Sequence, residues 1–188
     1  MKRIGITLGD QAGVGPEVVE AALASIDLPE GVEVDILGER LEGVTPGQPT
    51  QLTAQAALSD IEEGARKLKS GEIDAIVTGP VAKDGLHQLG FDFPGQTEFF
   101  ADRLECDSHA MCLTGENLTV ALVTIHVALS QVPELITKKE VVRVGELLAD
   151  FCEQKGIVEP KIAVCGLNPH ASENGAFGYE DIEVVAPA

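Results

Sequence analysis

The sequence has no tryptophan, one tyrosine and six phenylalanines, so aromatic side chains make up 4% of its 188 residues. Positive charge is scarce as well: 13 lysines and arginines stand against 31 aspartates and glutamates, for a formal net charge of −18. A surface of that sign repels phosphate backbones and anionic lipid, which excludes nucleic acid and membrane surfaces as partners. The same acidity suits life in high salt and plain solubility alike. Long apolar runs are missing too. No stretch without Asp, Glu, Lys or Arg is longer than Asn117–Pro133, which contains His126, Ser130 and Gln131 and is too short and too polar to cross a bilayer. Met1-Lys2-Arg3 is basic, but Asp10 interrupts the apolar stretch behind it too early for a secretory signal. The cysteines, Cys106, Cys112, Cys152 and Cys165, form no CxxC pair and no zinc-finger spacing. Cys112 and Cys165 sit in apolar runs, where a reduced thiol acts as a small hydrophobe. A soluble protein of the reducing cytoplasm is the expectation.

What is present is alternation. The length allows one domain, or one domain and part of a second. Short β-rich runs at Arg3–Leu8, Glu33–Leu37, Ile73–Thr78, Ala110–Thr114, Leu118–Thr124 and Lys161–Cys165 predict strands. Between them lie helical patterns. One opens at Pro16 and Glu17, both favoured in a first turn. A second covers Thr53–Lys69 with Leu58, Ile61, Ala65 and Leu68 on one face. A third covers Lys138–Gln154, opened by a Thr137/Glu140 capping box, faced by Val141, Val144, Leu148 and Phe151, and stopped by Gly156. A shorter helix is expected over Thr97–Leu104, and the start of another over Gly178–Val185. Alternating strands and helices predict a layered α/β fold with a mainly parallel sheet. Gly115-Glu116-Asn117 reads as a three-residue hairpin loop, which adds an antiparallel element and makes the sheet mixed.

Ligands of open α/β sheets gather beyond the carboxyl ends of the strands, and four segments there could carry chemistry. Gly9–Glu17 offers glycines and a helix start, which suits an anion or a tight structural turn; it has neither the Gly-Lys-Ser/Thr of a P-loop nor the dinucleotide fingerprint. Lys83, behind Thr78-Gly79-Pro80, falls in a first helical turn, where a cation is mildly unfavourable; it serves either an anionic ligand or solvent. Gln96 and Thr97 stand at a helix start, where Thr97 is explained as the N-cap. His126 and His170 follow the runs ending at Thr124 and Cys165, and if those strands are parallel both imidazoles share one sheet edge. Two neutral imidazoles suit zinc or another borderline divalent ion, although a site needs a third ligand. His87 and His109 have no such placement and read as structural.

Six blocks then coincide in order with one family: Thr7-Leu8-Gly9-Asp10, Ala12-Gly13-Val14-Gly15-Pro16-Glu17, Thr78-Gly79-Pro80-Val81, Gly95-Gln96-Thr97-Glu98-Phe99, Thr124-Ile125-His126-Val127 and Gly166-Leu167-Asn168-Pro169-His170-Ala171. Together they make the whole chain resemble the 4-hydroxythreonine-4-phosphate dehydrogenases (PdxA). The resemblance implies an isocitrate-dehydrogenase-like α/β/α fold of two subdomains sharing a cleft, with a boundary near residues 95–110. It implies a homodimer, a divalent metal (zinc, magnesium or cobalt) and NAD or NADP. The implied reaction oxidises the secondary alcohol of 4-phosphooxy-L-threonine, and the 2-amino-3-oxo-4-phosphooxybutanoate formed loses carbon dioxide on the way to pyridoxal phosphate. Carried over residue by residue, His126 and His170 match metal ligands and Thr97 matches a substrate-binding threonine. No catalytic or cofactor-binding residue is carried over.

The chain departs from the family pattern at three points. Gln96 stands where the family usually has a substrate-contacting histidine, and a glutamine can still donate a hydrogen bond there. Gln11 replaces a usual proline in the first turn. The family also continues past the position of Ala188, so the resemblance is to its N-terminal part, and the 188 residues alone are expected to be inactive. A remnant that binds only metal or phosphate, and a relative acting on a threonate or erythronate phosphate, are the alternatives; Gln96 favours the latter.

Overall fold

The run Ile-Gly-Ile-Thr becomes the middle of a sheet, with Gly5 and Thr7 buried on one face and Ile4 and Ile6 half-buried on the other. In the computed structural model, which describes residues 1–188, β1 (Lys2–Thr7) is flanked by β2 (Val32–Leu37) and β3 (Ala75–Val77). Both pairings are parallel, with Ile4 opposite Val34 on one side and Ala75 on the other. The order β2-β1-β3 means that the chain steps to one side of β1 and then back across it. That reversal leaves a switch point at the carboxyl ends of β1 and β3.

The helices begin and end where local chemistry directs. α1 (Gly15–Ser25) carries Pro16 and Glu17 in its first turn. α2 (Gln51–Ser70) opens with a reciprocal box, in which Thr50 Oγ1 accepts the Thr53 N–H at 3.2 Å and Thr53 Oγ1 accepts the Thr50 N–H at 3.0 Å. It closes on Gly71, at φ 74°, the left-handed C-terminal cap that glycine adopts without a β-carbon clash. Ala57, Ile61, Gly64 and Ala65 form its buried face, and α2 packs against all three strands. α3 (Lys83–Gln88) and α4 (Gln96–Arg103) complete the unit Met1–Glu105. Its core joins Ile61, Ala65 and Leu86 to Phe91 and Phe99, each large side chain contributing roughly 1.5–3 kcal/mol on burial. Four of the six phenylalanines gather there, with ring centroids 5.2–5.5 Å apart. The Arg103 guanidinium lies 4.8 Å from the Phe99 ring and is held by Glu62 at 2.7 Å.

The unit Cys106–Ala188 holds the antiparallel hairpin β4 (Met111–Thr114) and β5 (Thr119–Leu122). The parallel and antiparallel parts of the expected mixed sheet therefore form two separate sheets. The hairpin turn is tighter than expected: the Gly115 N–H donates to the Leu118 carbonyl at 2.9 Å and leaves only Glu116-Asn117 at the tip. α5 (Val132–Leu135) is one short turn, and α6 (Lys138–Gln154) starts at Thr137, whose Oγ1 accepts the Glu140 N–H at 3.2 Å. Val141 and Val144 are buried, Leu148 and Phe151 half-buried, and Gly156 follows at φ 82°. The expected strand Lys161–Cys165 is absent, and those residues are exposed coil. An apolar sequence becomes a strand only beside a partner, and no strand in this unit pairs with it. In place of a helix over Gly178–Val185 there is one wide turn, Asp181–Val185.

Candidate functional site

The switch point in the first unit is built by two turns pinned to each other. The Gly79 N–H donates to the Thr7 carbonyl at 3.0 Å, and the Asp10 N–H donates to the Pro80 carbonyl at 2.9 Å. A β-carbon on Gly9 (φ 72°) would strike Pro80, and one on Gly15 or Gly79 would strike the Leu8 peptide. These glycines are thus required by close backbone packing, the structural account of Gly9–Glu17. Asp10 Oδ1 accepts the Ala12 N–H at 2.9 Å, while Oδ2 is buried without a partner. Gln11, buried in the same turn, clamps the segment after β2: its Nε2 donates to the Glu39 carbonyl and its Oε1 accepts the Leu41 N–H, both at 2.8 Å.

Gln96, the first residue of α4, extends toward this crossing. Its Nε2 lies 3.5 Å from the Gly79 carbonyl, the long limit of a hydrogen bond, and its Oε1 is buried without a partner. Asp10 and Gln96 therefore flank the same Gly79-Pro80 peptide, each with an acceptor to spare. Thr97 does not cap the helix. Gly95 occupies the cap position with extended backbone and no side-chain bond, so α4 begins one residue earlier than expected and Thr97 is half-buried in its first turn. The exposed Lys83 donates to the Pro94 carbonyl at 2.9 Å, tying α3 to the entry of α4. His87 is structural, its Nδ1–H donating to the Phe91 carbonyl at 2.7 Å.

In the second unit, His126 and His170 are exposed on loops, each with left-handed backbone at φ 55° and φ 54°. They do not stand at equivalent ends of parallel strands, contrary to the expectation. β5 stops at Leu122 and runs antiparallel to β4, and the strand expected before His170 is coil. No group of three or more His, Cys, Asp or Glu side chains gathers to hold a metal. The His170 ring stacks on Phe177 at 6.2 Å between centroids. His170 also opens a run of five non-glycine residues with positive φ, at 54°, 48°, 70°, 41° and 54° through Asn174, before Gly175 at 93°. Left-handed backbone costs an ordinary residue about 1–2 kcal/mol, so such a run persists only where its surroundings enforce it.

Sequence reasoning missed one residue bonded to this loop, Asp181. Its carboxylate accepts from the Leu167 N–H at 2.7 Å, the Asn168 N–H at 2.9 Å and Ser172 Oγ at 2.8 Å. The Asn168 peptide above all, with Leu167 and Ser172, holds its pKa below the usual carboxylate range.

A parallel β-α-β sheet with a glycine-packed switch point, followed along the chain by a unit bearing two loop imidazoles, defines a layered α/β protein of the kind that takes small ligands at its strand ends. The model of the family described as pyridoxal phosphate biosynthetic protein PdxA matches residues 11–188. The chain belongs to that family. It is 35% identical, over 226 aligned positions, to a 4-hydroxythreonine-4-phosphate dehydrogenase of Zymomonas mobilis, covering 100% of this chain and 68% of that protein. The Vibrio cholerae enzyme of the same name is also 35% identical, with 99% and 68% covered. Among solved structures, the 4-hydroxythreonine-4-phosphate dehydrogenase of Klebsiella pneumoniae superposes with a TM-score of 0.78 at 28% identity, covering 99% of this chain and 69% of that one. The fold is thus the α/β fold of this dehydrogenase family, and a PdxA-type oxidoreductase role in pyridoxal phosphate biosynthesis follows from membership.

Proposed function

We propose that this chain acts in the metal-dependent, NAD- or NADP-linked oxidation of 4-phosphooxy-L-threonine to 2-amino-3-oxo-4-phosphooxybutanoate, which then loses carbon dioxide. The observation that carries the reading is the family match across residues 11–188. Gln96 and Thr97 bind the substrate. Gln96 offers a buried acceptor suited to a hydroxyl or ammonium donor, and the Thr97 hydroxyl is not spent on capping. His126 and His170 hold the divalent ion (zinc, magnesium or cobalt). Their imidazoles fit it in donor chemistry; a catalytic zinc takes three protein ligands, and no group of three such side chains gathers in the structure. A bound ion supplies Lewis acidity at the substrate hydroxyl.

Two further attributes belong to the same reading. Leu113 and its cross-strand partner Val120, with Leu118 beside them, expose apolar surface on the hairpin, which supports a homodimer. Four free cysteines support a cytoplasmic location.

The test mixes the protein with NAD or NADP, a divalent metal and 4-phosphooxy-L-threonine and follows reduced nicotinamide. Turnover establishes the reaction and overturns the expectation that the 188 residues alone are inactive. No reduction with any phosphorylated hydroxy acid would leave an inactive chain that binds metal or phosphate at most. Calorimetry with zinc tests the ligands: His126→Ala or His170→Ala should abolish binding, and unchanged affinity removes that residue from the site. Gln96, standing where the family usually has a substrate-contacting histidine, keeps a second substrate reading open, a threonate or erythronate phosphate. Reduction with such a compound, and not with the amino acid, selects it.

A further inference from the structure

We propose that Asp181 is the positioning residue of the His170 loop, its carboxylate fastening Leu167 and Asn168 to Ser172 across the left-handed bend that begins at His170 and presents the imidazole. The three donors that converge on it bracket Pro169-His170-Ala171 on both sides: Leu167 and Asn168 N–H before, Ser172 Oγ–H after. The two ends of the bend are thereby fastened to one anion. Asp181 is 4% exposed and Ser172 0% exposed, so water does not compete at these bonds.

Neighbouring residues are arranged around the same carboxylate. Asn168 Nδ2 donates to Glu180 at 2.8 Å and to Ser172 Oγ at 3.2 Å, bracing the loop a second time. Gly166 leaves room for the approach, because a β-carbon there would press on Asp181 Oδ1 and on Ala171. The run His170–Asn174 contains no glycine that would adopt this backbone unaided. An asparagine at 181 has one acceptor oxygen and turns an NH₂ toward donors, so it cannot take all three bonds.

The clamp stands on the loop geometry alone, and its consequence for metal binding rests on the proposed role of His170. The test uses the full chain and two measurements: amide hydrogen exchange without metal, and zinc affinity by calorimetry. In Asp181→Asn, exchange at the Leu167 and Asn168 amides should rise at least about tenfold beyond any change at the buried helical Val144, and zinc affinity should fall by roughly 10- to 100-fold, as when the support of a metal ligand is lost. Ser172→Ala removes one bond of the three, gives the same pattern at smaller size, and decides the matter if Asp181→Asn does not fold. Loop exchange that rises no more than exchange at Val144 overturns the proposal. So does unchanged zinc affinity in Asp181→Asn where His170→Ala weakens it. Zinc held equally well by wild type and His170→Ala removes the metal reading of His170, and the exchange result still decides the clamp.

Discussion

Asp60 gives the sharpest stability prediction. It lies on the buried face of α2, 6% exposed, with Oδ2 lacking any partner, and burial pushes its pKa from 3.8 to about 6. Gly38, at φ 94°, leaves the space into which the carboxyl fits, since a β-carbon there would overlap both oxygens. The folded state therefore holds the proton more tightly than the unfolded chain. Below pH 3.8 both states are protonated and the group costs nothing. As pH rises from there to about 6, the unfolded chain ionises first and stability declines; above that the penalty is constant. A shift of about two units corresponds to about 3 kcal/mol. Asp60→Asn removes the ionisation but adds an NH₂ that needs its own acceptor, which costs about 1–2 kcal/mol. The variant should thus be more stable than wild type by about 1–2 kcal/mol at pH 7.5, and should lose that advantage at pH 4. Urea unfolding of both proteins at several pH values, followed by circular dichroism, reads the difference directly. A difference that does not grow with pH refutes the reasoning, because packing alone would be blind to it.

Four other substitutions test parts of the frame by the same urea method. Gln11→Ala removes both bonds to the segment after β2 and should cost about 2 kcal/mol, with Leu41 the amide whose exchange rises most. Gly9→Ala forces a β-carbon against Pro80 at positive φ and should cost more than about 3 kcal/mol, registered as loss of soluble protein or a steep fall in the urea midpoint. Thr137→Ala deletes the cap of α6 and should cost about 1 kcal/mol, whereas Thr97→Ala, which caps nothing, should show no such loss.

The elements legible in the sequence were those whose cause is local. α6 spans Lys138–Gln154, the predicted bounds, because a capping threonine, an apolar face and a stopping glycine are all written within twenty-odd consecutive residues. β1 and β2 fell within a residue of their predicted starts because each carries a short run rich in β-branched residues, Ile-Gly-Ile-Thr and Val-Glu-Val-Asp-Ile, that suits a pleated strand. Lys161–Cys165 has a run of the same kind and is coil. A strand is a property of two segments, and the ladder that would complete this one is not formed in its unit. Gly95 took the cap from Thr97 for a related reason: the Lys83 bond to the Pro94 carbonyl ties the entry of α4 to α3, and that bond is not visible in a window of residue types.

The candidate site divides along the same line. His126 and His170 could be singled out because imidazoles after apolar runs are conspicuous, but the common sheet edge that was to join them depended on the strand that is missing. Asp181 carried no such mark. It is one acidic residue among 31, eleven positions beyond His170, with nothing in its immediate neighbours to separate it from Glu180 or Glu183. What distinguishes it is the demand made by the loop: two peptide N–H groups and a hydroxyl turned inward need an anion, and a run of left-handed, non-glycine backbone needs something to enforce it. The only sequence signal for that demand is the polar string Ser172-Glu173-Asn174 ahead of Gly175, residue types that bend but do not say in which direction. A residue that orients another through its backbone is legible only once the backbone is known, which is why the candidate histidine could be singled out in the sequence and the carboxylate fastening its loop could not.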